Sequence, residues 1–321
     1  MIRKSIFGLA AAAITVAAMA VVPASAEIPC GTAKLIVPWG AGGGTDVIFR
    51  IIVDSANKHG AKPQLQVVNI GGQGGNKGAK EAVKAKPDGC TLFAIHQSAI
   101  SSYLTGRVDF TWDAFEPVAL MTRTPTIYGA NANVPYSNLQ ELATYAKAHP
   151  NEVLAGGTLG STSHFAMLEL QDAAGVEFKH ISYDGTRERM TALLANNIHI
   201  GEINLAAAKK YIQTGELKAL AITTEARNPE IPDVPTAKEQ GFDLVIGVDR
   251  GIVLPKGTPK DVVNQYIELL RAVAMDPEVQ KQMEAKGSTM PFTAGDDYRA
   301  YFEKTFTKWK QIAINVGMYK G

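Results

Sequence analysis

Two glycine-rich turns, each between a short apolar run and a helical pattern, constrain the fold of this chain most strongly. The first turn, residues 40–46, follows the apolar run 34–37, and the second, residues 156–163, follows the run 153–155. Further apolar runs alternate with helical patterns at residues 64–70, 91–95, 178–183, 198–204 and 219–223. This alternation predicts parallel sheets with crossover helices, because parallel strands need a long connection between them. The sequence therefore predicts an α/β chain built of two successive units.

The C-terminal part changes character and is predicted to be helical. Thr258 and Pro259 indicate a helix start, with Thr258 as the N-cap and Pro259 in the first helical position. Asp276 and Pro277 indicate the start of another helix. A last helix is expected over residues 296–316, and the aromatic side chains along it are predicted to be core packing.

The two turns are also the strongest candidates for a binding site. Glycine lets the backbone approach a ligand closely, and a helix N terminus offers free N–H groups and the positive end of the helix dipole. An anion can therefore be held there without lysine or arginine. The second turn adds the hydroxyl groups of Thr158, Ser161, Thr162 and Ser163. Two such turns, one in each unit, predict a ligand that is held from both sides.

Nucleotide binding fits the turns poorly. A P-loop needs a lysine directly before its Ser or Thr, and Gly44 stands before Thr45. Counting from Gly40 and Gly42, the third glycine or alanine of a dinucleotide-binding turn is replaced by Thr45. A turn that only packs remains an alternative. We predict no nucleotide or other cofactor and no metal.

Catalytic motifs are scarce in the sequence. No Gly-x-Ser-x-Gly segment occurs, and no two of the six histidines have the spacing of zinc ligands. His164, beside Ser163 at a helix start, is predicted to orient the second turn by a hydrogen bond rather than to transfer a proton. We therefore predict a binding protein and not an enzyme. An exported α/β enzyme remains an alternative, because catalysis does not require a known motif.

The N-terminal residues have the three parts of a secretory signal. Arg3 and Lys4 precede an apolar run at 6–22, and small residues follow at 24–26. We expect cleavage after Ala26 and a periplasmic location, with a retained membrane anchor as the alternative. Cleavage removes two of the 32 basic side chains and leaves 30 against 31 acidic ones. No basic cluster favours nucleic acid as a partner.

The two cysteines of the chain, Cys30 and Cys90, each stand just before an apolar run. If the runs at 34–37 and 91–95 are parallel neighbours in one sheet, both cysteines lie at the same edge. An oxidising compartment permits a disulfide, and we predict that the two are bonded. Two unpaired thiols are the alternative.

Matches to a known family extend over nearly the whole mature chain. The segment Ile36-Val37-Pro38-Trp39-x-Ala41-Gly42-Gly43-x-Thr45-Asp46 resembles the opening of the extracytoplasmic solute receptors of tripartite tricarboxylate transporters, the Bug or TctC-like proteins. Further segments are similar to this family and follow its order, at residues 67–78, 87–92, 161–164, 183–185, 217–221, 231–236 and 255–259.

The resemblance implies a type II periplasmic-binding-protein fold, in which two α/β domains close on a ligand between them. Domain 1 would comprise residues 27–128 and 251–321, and domain 2 residues 129–250. The resemblance also implies capture of a small organic carboxylate through the two turns, without an arginine clamp, and delivery to a two-component membrane permease. We expect a monomer. A sensor that addresses a signalling partner is the alternative function.

The resemblance assigns ligand contacts to both turns and to polar residues at strand ends, where open α/β sheets bind ligands. Trp39 would form an apolar wall. The expected contacts are Ala41, Gly42, Gly43, Thr45 and Asp46 in the first turn, Gly160, Ser161, Thr162 and Ser163 in the second, and His96, Gln97, Ser98, Tyr183, Asp184 and Asn204 at strand ends.

Three acidic residues depart from the family's pattern, namely Asp184, Glu202 and Asp249. If they lie near the cleft, they would repel a second carboxylate or bind an amine or hydroxyl group of the ligand. If they face solvent, they would have no such effect. The sequence leaves both possibilities open.

Overall fold

A computed structural model describes residues 27–183 and 185–320 of the chain, so the expected signal segment and Asp184 lie outside the described residues. The strands, in chain order, are β1 (Thr32–Val37), β2 (Gln64–Asn69), β3 (Thr91–His96), β4 (Phe115–Pro125), β5 (Ile127–Asn131), β6 (Leu154–Gly157), β7 (Lys179–Ser182), β8 (Ile200–Ile203), β9 (Leu217–Ile222), β10 (Gly247–Pro255) and β11 (Thr293–Ala294). The α-helices are α1 (Gly44–Lys58), α2 (Asn76–Val83), α3 (Ser98–Leu104), α4 (Leu139–Ala148), α5 (Thr162–Ala174), α6 (Thr186–Leu194), α7 (Leu205–Gln213), α8 (Lys260–Met275), α9 (Pro277–Glu284) and α10 (Gly295–Asn315).

The strands form two mixed sheets. The first has the order β11-β4-β10-β3-β1-β2, and the second has the order β7-β6-β8-β5-β9. The predicted parallel pairs are present, because β1 lies between β2 and β3, and β6 lies between β7 and β8. The antiparallel strands β4, β5 and β10 were not predicted as strands, and they complete both sheets.

Each sheet is covered by helices on both faces, as its side-chain pattern requires. In β1, Leu35 and Val37 point to the core beneath α1 and α8, while Ile36 points to the core on the opposite face. The second sheet has separate cores on its two faces in the same way. Burial on both faces explains why these strands are continuous apolar runs in the sequence.

The chain passes from the first sheet to the second at Thr126, between β4 and β5, and returns at Gly247 in β10. We call the part built on the first sheet domain 1 and the part built on the second sheet domain 2. The expected boundary at residues 250–251 falls inside β10. Arg250 consequently extends from a strand of the first sheet.

The two domains also meet through helices α5 and α10. Phe165 of α5 is buried in a core of domain 1, and its ring stacks on Trp309 with 4.6 Å between centroids. The buried carboxylate of Glu169 accepts hydrogen bonds from the Trp309 indole and from Lys308. This mixed apolar and ionic contact fixes one side of the interdomain cleft.

Three local predictions can be compared with the structure directly. Cys30 and Cys90 are bonded, which confirms the predicted disulfide. The N-cap of α8 is Pro259 and not Thr258, because the Thr258 hydroxyl donates back to the Pro255 carbonyl at 2.7 Å instead of capping the helix. α9 starts at Pro277 as predicted, and the Asp276 side chain caps it by accepting from the Glu278 N–H.

No helix within residues 27–183 and 185–320 combines the length and apolar character needed to cross a membrane.

Candidate functional site

The first turn leads into α1 with its backbone held by Asp46. Gly42 adopts a φ of 76°, which favours glycine. The buried Asp46 carboxylate accepts hydrogen bonds from the Gly42 N–H and from the side chains of Arg50 and Asn69, at 2.8 to 2.9 Å. Burial raises the pKa of Asp46, but these hydrogen bonds outweigh it and the net pKa lies below the usual value. Asp46 therefore stabilises the conformation of the first turn through these hydrogen bonds.

The N terminus of α1 has no side-chain cap. The N-cap residue Gly43 lacks a side chain, and Ala41, Gly42, Gly43 and Gly44 are all exposed. The first N–H groups of a helix have no partner within the helix, and they carry the positive end of its dipole. This end of α1 can therefore accept an anion.

His96 lies at the end of β3, directly behind the turn. Its ring stacks on Trp39 with 5.3 Å between centroids, and its Nε2 is 3.3 Å from the hydroxyl oxygen of Thr45. Burial, with a smaller effect of Arg250, holds the pKa of His96 well below its usual value. His96 is consequently a neutral ring at pH 7 that supports Thr45 and Trp39.

Arg250 was not among the predicted site residues, yet it reaches the same place from β10. Its Nε donates to the Thr45 hydroxyl at 3.1 Å, and its Nη1 donates to the Thr124 hydroxyl at 2.6 Å and to the Val248 carbonyl at 3.2 Å. The adjacent charged residues Asp249 and Arg250, within the otherwise apolar segment 247–255, were the signal in the sequence that could have found it.

A cavity of about 510 Å³ opens between the domains beside these residues. Domain 1 contributes Gly44, Thr45 and Arg250 to its wall. Domain 2 contributes the starts of α6 and α7, including Asn204, whose side chain caps α7 by accepting from the Ala207 N–H at 3.0 Å. Of the predicted contacts, Thr45 and Asn204 line this cavity together.

The second turn is held mainly by contacts within itself. The Ser163 hydroxyl accepts from the Thr158 N–H at 3.0 Å and lies 3.1 Å from the Ser161 hydroxyl oxygen. The Gly160 N–H donates to Nδ1 of His164, which is the orienting role predicted for that ring. The residues that line the 510 Å³ cavity include neither Ser161 nor Ser163 in the part of the chain the structure describes.

Arg189 joins the second turn to β8. Its side chain is buried, pairs with the Glu202 carboxylate, and donates to the Glu202 carbonyl at 2.6 Å and the Ser163 hydroxyl at 3.4 Å. Glu202 is therefore neither solvent-facing nor available to a ligand. This buried pair was not predicted from the sequence.

The remaining predicted contacts lie around the turns or face a second cavity of about 620 Å³. Gln97 bridges the Gly247 carbonyl and the Asp249 N–H, and Thr162 lines this second cavity. Ser98 opens α3 and is half-buried, and the Tyr183 carbonyl accepts from the Thr158 hydroxyl at 2.6 Å.

The buried charges of the second cavity are paired with protein groups. Asp249, which is 4% exposed, receives two hydrogen bonds of 2.6 Å from Arg123 and one of 2.5 Å from the Tyr301 hydroxyl. The alternative in which Asp249 and Glu202 face solvent is therefore wrong, because both are buried in ion pairs. Among the two cavities, only the first presents a buried cation without an acidic partner in the described residues.

Buried His164 makes the stability of the fold sensitive to acid. Burial, with a smaller effect of His180, lowers the pKa of His164 to about 3. The unfolded chain binds more protons below its pKa of about 6.5, so stability falls as the pH falls from about 6.5 toward 3. Between pH 7.5 and 5.5 we expect His164 alone to account for a loss of about 1.4 kcal/mol, measured by urea unfolding.

The matched variant is His164→Asn, which keeps an acceptor near the Gly160 N–H but does not titrate. We expect its free energy of unfolding to fall by about 1.4 kcal/mol less than that of the parent chain over the same pH interval. Equal losses in the two proteins would contradict a neutral His164.

Comparison with known proteins gives a consistent result. The sequence model described as "Tripartite tricarboxylate transporter family receptor", TctC, matches residues 48–318. The "UPF0065 protein in gbd 5'region" of Cupriavidus necator is 31% identical, over 99% of this chain and 98% of that protein.

Two solved structures extend the similarity to the fold. The periplasmic binding protein BugD is 29% identical with a TM-score of 0.75, covering 90% of this chain and 99% of its own. MatC from Rhodopseudomonas palustris, with bound malate, is 26% identical with a TM-score of 0.74, covering 88% of this chain and 98% of its own.

Proposed function

The chain belongs to the tripartite tricarboxylate transporter family of receptors, and on this premise we propose that it captures a small organic carboxylate and delivers it to a two-component membrane permease. One observation carries the proposal. The cavity between the domains combines the uncapped start of α1 with a buried arginine that has no acidic partner in the described residues.

The chemistry of that wall suits a carboxylate. Backbone N–H groups at the start of α1 donate hydrogen bonds, and the helix dipole favours negative charge at the same point. Thr45 lies in the first turn of α1 and already touches Arg250, so a carboxylate bound there meets hydroxyl, amide and guanidinium donors together. Hydrogen bonds between such ionised partners are stronger than neutral ones.

Binding without chemical conversion is the expected mode of action. Two α/β domains with a ligand cavity between them are suited to closing around the ligand by a hinge motion. We infer that the chain is exported, that cleavage follows Ala26, and that the mature monomer carries the ligand through the periplasm. MatC, the relative with bound malate, supports a carboxylate as the ligand class. Intact mass measurement of the exported protein would test the cleavage position.

The Gly44→Leu substitution tests whether the cavity is the binding site. Gly44 lines the cavity, and a Cβ atom added there would meet no atom within 4 Å. A leucine side chain would therefore occupy the cavity without straining the turn. We expect carboxylate affinity to fall at least about tenfold in titration calorimetry, while the melting temperature of the unliganded protein stays nearly unchanged.

The matched control is Gly31→Leu, at an exposed glycine where an added Cβ also meets no atom within 4 Å. Gly31 lies next to Cys30 and away from the cavity. Gly31→Leu should leave carboxylate affinity unaltered. If Gly44→Leu binds carboxylates as tightly as Gly31→Leu does, the ligand does not occupy this cavity.

A further inference from the structure

Two arginines stand on opposite walls of the 510 Å³ cavity. Arg250 lies on the domain 1 wall and is 8% exposed, whereas Arg187, at the start of α6, lies on the domain 2 wall and is exposed. Neither guanidinium has a carboxylate within 4.0 Å among residues 27–183 and 185–320. Each wall of the cavity therefore carries one positive charge that has no ion-pair partner among the described residues.

The three buried acidic residues near the cleft form their ion pairs with other arginines. The pairs are Asp46 with Arg50, Glu202 with Arg189, and Asp249 with Arg123. Asp249 and Glu202 favour the charged form of buried Arg250 from beyond ion-pair distance. No described carboxylate pairs with it directly, so the arrangement favours a ligand that brings a negative charge into contact with it.

Arg250 is oriented so that part of its guanidinium remains available. Nε and Nη1 donate to Thr45, Thr124 and the Val248 carbonyl, and Nη2 has no partner among the described residues. Side chains alternate along a strand, so the preceding Asp249 points away toward the second cavity. Burial lowers the pKa of Arg250 to about 10, and the group remains a cation at neutral pH.

We propose that Arg250 and Arg187 determine ligand selectivity by pairing with the two ends of one dicarboxylate, an inference that rests on the proposed function. Arg250 and the start of α1 bind one carboxylate inside domain 1. Arg187 pairs with the other carboxylate from domain 2, so the ligand itself joins the two walls. Arg250 thereby acts on every carboxylate, and Arg187 acts only on a ligand with a second charged end.

This division of roles can be measured with malate and straight-chain dicarboxylates of four to six carbons, each compared with its half-amide. Titration calorimetry is run on the mature parent chain and on Arg250→Gln, Arg187→Gln and Lys281→Gln. Lys281 is exposed on α9, away from the cavity, so its variant controls for the loss of one positive charge.

We expect Arg250→Gln to lower the affinity for dicarboxylates and half-amides alike, by roughly 10- to 100-fold. Arg187→Gln should weaken the dicarboxylates several-fold and leave the half-amides unaffected, so that the parent chain's preference for the second charge disappears. Lys281→Gln should match the parent chain.

Four results would overturn the inference. In the first, half-amides bind the parent chain as tightly as dicarboxylates do; in the second, Arg187→Gln lowers the affinity for both equally. Either result means that Arg187 does not contact a second carboxylate, and the proposed function still stands. If Arg250→Gln retains parent affinity while Gly44→Leu loses it, Arg250 does not contact the ligand. Binding of no acid to the parent chain would instead remove the proposed function together with the inference. Should Arg250→Gln fold poorly in a thermal melt, the surface variant Arg187→Gln still decides the outcome.

Discussion

Replacing Glu202 by glutamine is expected to lower the free energy of unfolding by about 3–5 kcal/mol. Arg189 and Glu202 have side chains only 2% and 6% exposed, so the variant leaves a guanidinium buried without its counter-charge. The substitution also disfavours the charged form of Arg250, because the Glu202 carboxylate stabilises that form in the parent chain. Chemical unfolding in urea measures the loss.

The control for this prediction is Glu230→Gln. Glu230 pairs with Lys209 at 2.7 Å, but both side chains are about 40% exposed or more. A pair in that setting contributes about 0–1 kcal/mol. If the two substitutions lower the free energy of unfolding equally, water must screen the Arg189–Glu202 pair as it screens the surface pair. The proposed role of Arg189 in holding Ser163 and the second turn would then be wrong.

Removing the disulfide is the second large change. Cys30 and Cys90 are 60 residues apart, and the loop-entropy model gives a bond across such a loop about 4 kcal/mol. The Cys30→Ser, Cys90→Ser double variant should therefore unfold at distinctly lower urea concentration than the oxidised parent chain. The bond also ties the segment before β1 to the loop before β3.

Chemical reduction of the disulfide provides an independent check of its contribution to the free energy of unfolding. Adding a thiol reductant should bring the parent chain to the stability of the double variant and leave the variant itself unaffected. An oxidised parent chain that is no more stable than the double variant would show that the bond contributes nothing to folding under those conditions.

Local signals in the sequence were sufficient to predict much of the fold. Runs such as residues 34–37 and 91–95 became neighbouring parallel strands, and this placement, together with the oxidising compartment that the N-terminal signal implies, made the Cys30–Cys90 bond predictable. Family membership confirms the resemblance that those segments indicated. The long strands β4 and β10 were missed as strands because their partners lie far away in the chain, and pairing between distant segments leaves little local pattern.

The site was less predictable, since it depends on contacts between distant residues. Thr45 and Asn204 could be identified from turn and strand-end positions, and both line the cavity. Arg250 contacts Thr45, which lies 205 residues earlier in the chain. The sequence instead drew attention to the neighbouring Asp249, whose partners Arg123 and Tyr301 could not be assigned before the fold was known.

The central claim is that this chain binds a small organic carboxylate, and a thermal-shift panel on the mature protein tests it most directly. The panel contains organic mono-, di- and tricarboxylates, their uncharged amides, and nucleotides. We predict that at least one carboxylate raises the melting temperature in a concentration-dependent way and that its amide does not. Stabilisation by a nucleotide, with none from any carboxylate, would contradict the account.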